Sequence, residues 1–250
     1  MKKWLGRFRN PRTTDTFRRG QRQEKPPIRG RIFAGCALLV KATACFYAFW
    51  IGSFLLLKWI DPWTTGVQMQ RRVESWFKPA KYEKRYAPVD FKRISPQLRH
   101  AVVAAEDTNY YKHWGLDTDA MADVAMQSAE KGRVRRGAST ITQQLVKNLF
   151  FTTHANPVRK VIEWTLAPIA EVILGKERIL ELYLNVIEWG PGVFGAEAAA
   201  RHHYRTSAAL LSRDQAARLA ACIPAPRRRK PAAMNHYGAI IEARMRLMGY

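Results

Sequence analysis

Acidic residues are scarce in this 250-residue chain: 20 Asp and Glu stand against 42 Lys and Arg, a formal net charge of +22. Such an excess calls for an anionic partner, whether nucleic acid, anionic lipid or a phosphorylated substrate, and charge alone does not choose among them. Cysteine is nearly absent. Cys36 and Cys45 lie in one apolar stretch and only Cys222 in the body, so no disulfide framework can be drawn there. The histidines (His100, His113, His154, His202, His203, His236) show no H-E-x-x-H spacing, which leaves a zinc enzyme unsupported. Alternating strand patterns are scarce, and no internal repeat or long low-complexity run occurs. Apolar residues make up 47% of the chain, which excludes wholesale disorder.

Residues 1–31 hold eleven Lys and Arg against Asp15 and Glu24, a basic tail. From Ile32 to Leu57 run 26 residues with one charge, Lys41. At ~1.5 Å per residue this stretch can cross a ~30 Å hydrocarbon core. A transmembrane anchor is expected over 32–58, with Lys41 snorkelling to the near interface and Trp59 and Trp63 at the far one. A cleaved signal peptide is the competing reading; the leader is long for one, and no small-residue cleavage site follows Leu57. The basic excess ahead of the span places the N-terminus in the cytoplasm and the body outside. An exported body meets no chromosomal DNA, so no nucleic-acid partner is expected. Asp61–Pro88 reads as irregular and rich in aromatic and basic residues. A juxtamembrane connector is expected over 59–88, ahead of the main body, 89–250.

Helix signals fill that body. Ser95-Pro96 supplies an N-cap and a first-turn proline. Thr118 caps a second helix. Thr140 and Gln143 form a capping box, as do Ser212 and Gln215, whose helix is expected to end near Pro224. Asn156-Pro157 opens a helix that Pro168 should kink and Gly175 should end. Gly190, Pro191 and Gly192 read as a loop before a helix over Ala196–Tyr204, and a last helix fits Ala239–Met248. The class is mainly α.

Three segments carry chemistry. In EDTNYYKHWG, Glu106 ends the Ser95 helix beside Val102 and Val103; a half-buried carboxyl there has a raised pKa and can serve as a base. Taken alone, a solvated helix end is the favoured explanation of such a Glu-Asp pair. In RGASTITQQLVKNLFF, Gly137 frees the backbone before a helix start, where Ser139, Thr140 and the first amides could cradle a phosphate. Gln144 and Lys147 share one face of that helix, and Lys147 adds a point charge for a diphosphate. An ordinary capped helix is the plainer alternative. In RKVIE, Arg159, Lys160 and Glu163 share a face, which in isolation is only a surface ion pair. Paired carboxylates are the recurrent equipment of chemistry at an anomeric carbon. A phosphate cradle would add a phosphorylated leaving group, and an anchor a lipid-borne substrate.

These segments, in order, resemble the motifs of the peptidoglycan glycosyltransferase family, also found at the front of bifunctional penicillin-binding proteins. EDTNYYKHWG resembles E-D-x-x-F-x-x-H-x-G, with Tyr110 in place of Phe. GASTITQQLVKNLF resembles G-x-S-T-x-x-Q-Q-x-x-K-N, and RKVIEWTLA resembles R-K-x-x-E-x-x-x-A. KERILELYLN and GVFGAEAAARHHY supply two more motifs. The likeness runs from about Pro88 to Pro231, and it is to the monofunctional members, without a transpeptidase domain. One departure matters: Thr152–Asn156 has no Arg where relatives place one, Ala155 taking the slot.

The resemblance implies a lysozyme-like α lobe, a smaller membrane-facing lobe and polymerisation of lipid II into glycan strands at the bacterial inner membrane. Glu106 would be the base that deprotonates the acceptor hydroxyl. Lys147 and Arg159, with Lys160, would hold the departing undecaprenyl diphosphate. Glu163 would position a divalent cation (magnesium or manganese) or the cationic cluster; no tightly bound cofactor is implied. Tyr110, His113, Ser139, Thr140 and Gln144 would shape the donor site, while Asp107 would hold local structure. Partners would be lipid II, the growing strand, the membrane, and cell-wall synthesis or division proteins. A lysozyme-like hydrolase is the nearest rival, and a non-catalytic basic scaffold the next.

Overall fold

The computed structural model describes residues 28–77, 82–130 and 139–250. Most of the basic tail, through residue 27, and the expected role of Gly137 therefore lie outside the described residues. Contacts divide the chain into Met1–Cys45 and Phe46–Tyr250. Nine α-helices occur among the described residues, beside one small sheet, so the chain is mainly α.

Helix α1 (Ile28–Leu57) contains a 23-residue stretch, Gly35–Leu57, long and apolar enough to cross a membrane. Only 11% of its most apolar window is buried, unlike the core helix of a soluble domain. From Phe46 onward α1 belongs to the larger unit. There Trp50 and Phe54 meet Phe150 edge-on, with centroids 4.7 and 5.8 Å apart. Arg178 Nε donates to the Leu57 carbonyl at 2.9 Å, fixing the end of the helix.

The expected irregular connector is partly helical. Thr65 accepts from the Gln68 amide and starts α2 (Gly66–Trp76), which packs on α5 (Ile141–Phe150). Gln70 bonds Thr153, and Arg71 Nε donates to Glu188 at 2.8 Å. The 11 residues of α2 set Met69, Val73 and Trp76 at helical spacing around a polar Gln-Arg-Arg run, but these apolar side chains stay exposed, and ion pairs of Arg71 with Glu188 and of Glu74 with Arg227 tie the helix to the body. Downstream, β1 (Arg85–Tyr86) pairs parallel with β3 (Val193–Phe194), which pairs antiparallel with β2 (Glu188–Gly190). The Gly190–Gly192 loop is thus the turn of a short hairpin.

The core is built by α3 (Pro96–Glu106), α5, α6 (Pro157–Val186), α8 (Arg213–Ala220) and α9 (Asn235–Leu247), with α7 (Ala196–Tyr204) behind the sheet. Both capping boxes form as expected. Ser95 and Asn156 also cap their helices. Three expectations shift. Asp117, not Thr118, caps α4 (Thr118–Glu130), accepting from the Ala120 amide at 2.9 Å. Pro168 passes within α6 without a dihedral break; the break comes at Gly175, whose φ of 75° needs glycine. Helix α8 stops at Ala220, and successive turns carry the chain on to Pro224.

Candidate active site

Three helices converge on a cavity of about 500 Å³. The end of α3 contributes Glu106; Ser139 precedes α5, which contributes Gln144 and Lys147; the start of α6 contributes Arg159, Lys160 and Glu163; Pro224 closes one side. Helix geometry explains the grouping. Gln144 and Lys147 are three apart, and Arg159 and Glu163 four apart, so each pair projects from one face. The heavy α5–α6 packing turns those faces toward each other.

Glu106 receives one strong bond, from Gln144 Nε2 to its Oε2 at 2.8 Å. Burial pushes its carboxyl above the ordinary range, and Asp107 adds to this. The Gln144 bond, Lys147 and Arg229 oppose it. The carboxyl is therefore carried toward the range where a base works near neutrality.

Glu163 is 2% exposed and lies among cations. Lys160 Nζ donates to its Oε2 at 3.0 Å, and Arg159 Nε stands 2.8 Å from its Oε1 as a close ion contact. A buried carboxylate thus sits between two partly exposed cations, where sequence alone allowed a surface pair. Lys160 also reaches Ser139 Oγ and Gln143 Oε1, both at 3.1 Å. Arg159 donates to the carbonyls of Thr152 and His154, closing the loop that lacks the relatives' arginine. Lys147 has no hydrogen-bond acceptor among the described residues, although it lines the same cavity. Burial lowers its pKa; Glu163 and Glu106 oppose that, while Arg159 and Lys160 reinforce it. An ammonium so placed can take an anionic oxygen as its acceptor.

A divalent cation does not fit beside Glu163. The donor set there is a single carboxylate already contacted by two cations, and a third positive centre would be repelled. Glu163 fits the other role, holding the cationic cluster. Elsewhere Asp107, His113 and Asp117 offer ligand atoms within 4.8 Å of one another. Their carboxylates already accept from protein donors. Asp107 takes the Ile141 amide at 2.9 Å and His113 Nε2 at 3.0 Å; Asp117 takes Asn109 Nδ2 and the Ala120 amide, each at 2.9 Å.

That network redistributes several expected site residues. The start of α5 is not a phosphate cradle: Asp107 occupies the Ile141 amide, and the capping box engages Thr140 and Gln143. A protein carboxylate stands where phosphate was expected, for the same dipolar reason. Thr140 is 2% exposed, with its hydroxyl donating to the Gly115 carbonyl at 2.6 Å. Gly115 has φ +83° there, and a Cβ would lie 2.7 Å from Ala167. His113 orients Asp107. Tyr110 is fully buried, its hydroxyl donating to the Lys176 carbonyl at 2.6 Å. Thr140, His113 and Tyr110 therefore support this cavity without lining it: the Thr140 and Tyr110 hydroxyls and His113 Nε2 are used within the protein, while His113 Nδ1 is buried with no partner among the described residues. Glu106, Ser139, Gln144, Lys147, Arg159, Lys160 and Glu163 do line it. The sequence reading missed Pro224 and Tyr183. Tyr183 donates to Gln144 Oε1 at 2.9 Å; a tyrosine on the apolar face of Ile179 and Leu180 was the available signal.

The transglycosylase family model matches residues 71–248, beginning inside the stretch expected to be connector. A biosynthetic peptidoglycan transglycosylase of Laribacter hongkongensis is 45% identical over 197 residues, 78% of this chain and 86% of the relative. One from Pseudomonas syringae is 44% identical over 76% of this chain and 80% of its own. One from Bordetella pertussis is 43% identical over 87% and 94%. With a match of this extent lying across the cavity that holds Glu106 and Lys147, the chain belongs to the transglycosylase family.

Proposed function

We propose that this protein polymerises lipid II into the glycan strands of peptidoglycan by inverting glycosyl transfer, releasing undecaprenyl diphosphate. One observation carries the reading of the site. A carboxyl with a raised pKa, Glu106, and an ammonium without an acceptor among the described residues, Lys147, line one cavity. Glu106 takes the proton from the acceptor sugar's 4-hydroxyl as that oxygen attacks the donor's anomeric carbon. The anomeric carbon–oxygen bond to the diphosphate breaks, and its electron pair leaves with the lipid diphosphate. Lys147 and the exposed edges of Arg159 and Lys160 meet that charge as it develops. Glu163 keeps the three cations together. Inversion follows from attack opposite the leaving group, with no covalent sugar on the enzyme.

The apolar helix α1 fits a single-pass anchor with the tail in the cytoplasm, which would hold the body beside a lipid-borne substrate. A lysozyme-like hydrolase would also use carboxylates, but it has no use for the ammonium cluster. The full-length protein should convert labelled lipid II into long glycan and free undecaprenyl diphosphate while leaving purified strands uncut. Cleavage of those strands, with no polymer from lipid II, would reverse the assignment.

A further inference from the structure

Tyr183 is fully buried in α6, behind the base. Burial holds its phenol well above its ordinary pKa, with Glu106 and Asp107 adding to the effect, so it keeps its proton. A buried O–H needs an acceptor. It donates to Gln144 Oε1 at 2.9 Å, and the same amide donates through Nε2 to Glu106 Oε2 at 2.8 Å.

We infer that Tyr183 is a positioning residue for the base: through Gln144 it holds an amide N–H, rather than a carbonyl, against the Glu106 carboxylate. A glutamine amide is a donor on one side and an acceptor on the other, and the two orientations have nearly the same shape. Turned over, Gln144 would aim Oε1 at Glu106, a contact that suits only the protonated acid. The Tyr183 hydroxyl would then face an NH2 group and be left without an acceptor. The phenol thus selects the orientation in which Glu106 is supported as an anion ready to accept a proton. The Ser139 carbonyl, 3.5 Å from Nε2, is a weaker acceptor on the same side. The other charged groups facing Glu106 are Asp107 beside it, Lys147 on α5 and Arg229 beyond α8, and none of them reads the amide's direction.

The inference rests on Glu106 being the base, and the test separates the two. Rates of lipid II polymerisation by the full chain are measured across pH. Tyr183→Phe frees the amide to turn, so protonated Glu106 is favoured and the acidic limb moves up by about one pH unit, a roughly tenfold loss at acid pH that recovers as pH rises. KM should change little. Gln144→Met should raise the limb at least as far, and adding Tyr183→Phe to it should move the limb no further. A lowered melting temperature with an unmoved limb, or equal shifts in both backgrounds, would mean that Tyr183 only packs. Should Tyr183→Phe fail to fold, Gln144→Met decides, and an unmoved limb overturns the inference. An active Glu106→Gln enzyme would sink the base assignment itself. An inactive one, with the Tyr183→Phe limb unmoved, would sink only this inference.

Discussion

Glu163→Gln removes the carboxylate that the cleft cations share, and the structure fixes two consequences. The first is stability. Glu163 is 2% exposed, with Lys160 Nζ and Arg159 Nε at 3.0 and 2.8 Å. Removing one partner of a buried pair costs about 3–5 kcal/mol. Arg159 keeps its carbonyl acceptors and Lys160 is partly exposed, so the lower end applies, about 3 kcal/mol. For a body of this size that is a melting shift of roughly 6–12 °C. The second is chemical. Burial already lowers the Lys147 pKa, and Glu163 is the largest influence opposing that fall. Without it Lys147 loses its proton at lower pH, and the alkaline limb of the pH–rate profile moves toward neutrality. Polymerisation rates across pH, with melting curves in detergent, measure both. A fall in melting temperature with an unmoved alkaline limb would show that Glu163 stabilises the fold without setting the Lys147 charge.

Two further substitutions separate binding from architecture. Lys147→Met should weaken competition by undecaprenyl diphosphate by about 10- to 100-fold, the value of a hydrogen bond to a charged group. Its melting temperature should not fall, because one of three crowded cations is gone; a large drop would contradict the placement. Asp107→Asn keeps the shape but removes the charge facing His113 and the start of α5. It should cost about 1–2 kcal/mol in chemical denaturation.

Local signals were legible in the sequence wherever one side chain satisfies its own backbone. Ser95, Thr140, Asn156 and Ser212 each cap the helix expected of them. The facing pairs Gln144–Lys147 and Arg159–Glu163 were legible because helical spacing fixes them. Direction across the core was not. Asp107 meets the Ile141 amide across 34 residues, and no periodicity announces that contact. Tyr110, His113 and Thr140 stand inside recognisable motifs, yet their hydrogen bonds run to Lys176, Asp107 and Gly115 rather than to the cavity. A motif position says that a residue matters, and only packing says which way it points. Helix α2 was missed although Met69, Val73 and Trp76 stand at helical spacing; the contact that ties it to the body runs from Arg71 to a distant hairpin, which sequence does not announce.

The most direct measurement is a single turnover of lipid II by Glu106→Gln alongside the unaltered enzyme. The substituted protein should melt near the parent temperature and bind substrate as before, yet lose about 10²- to 10⁴-fold in rate, the usual value of a positioned base. Turnover within a few-fold of the parent would place proton removal elsewhere and leave the cavity without its assigned chemistry.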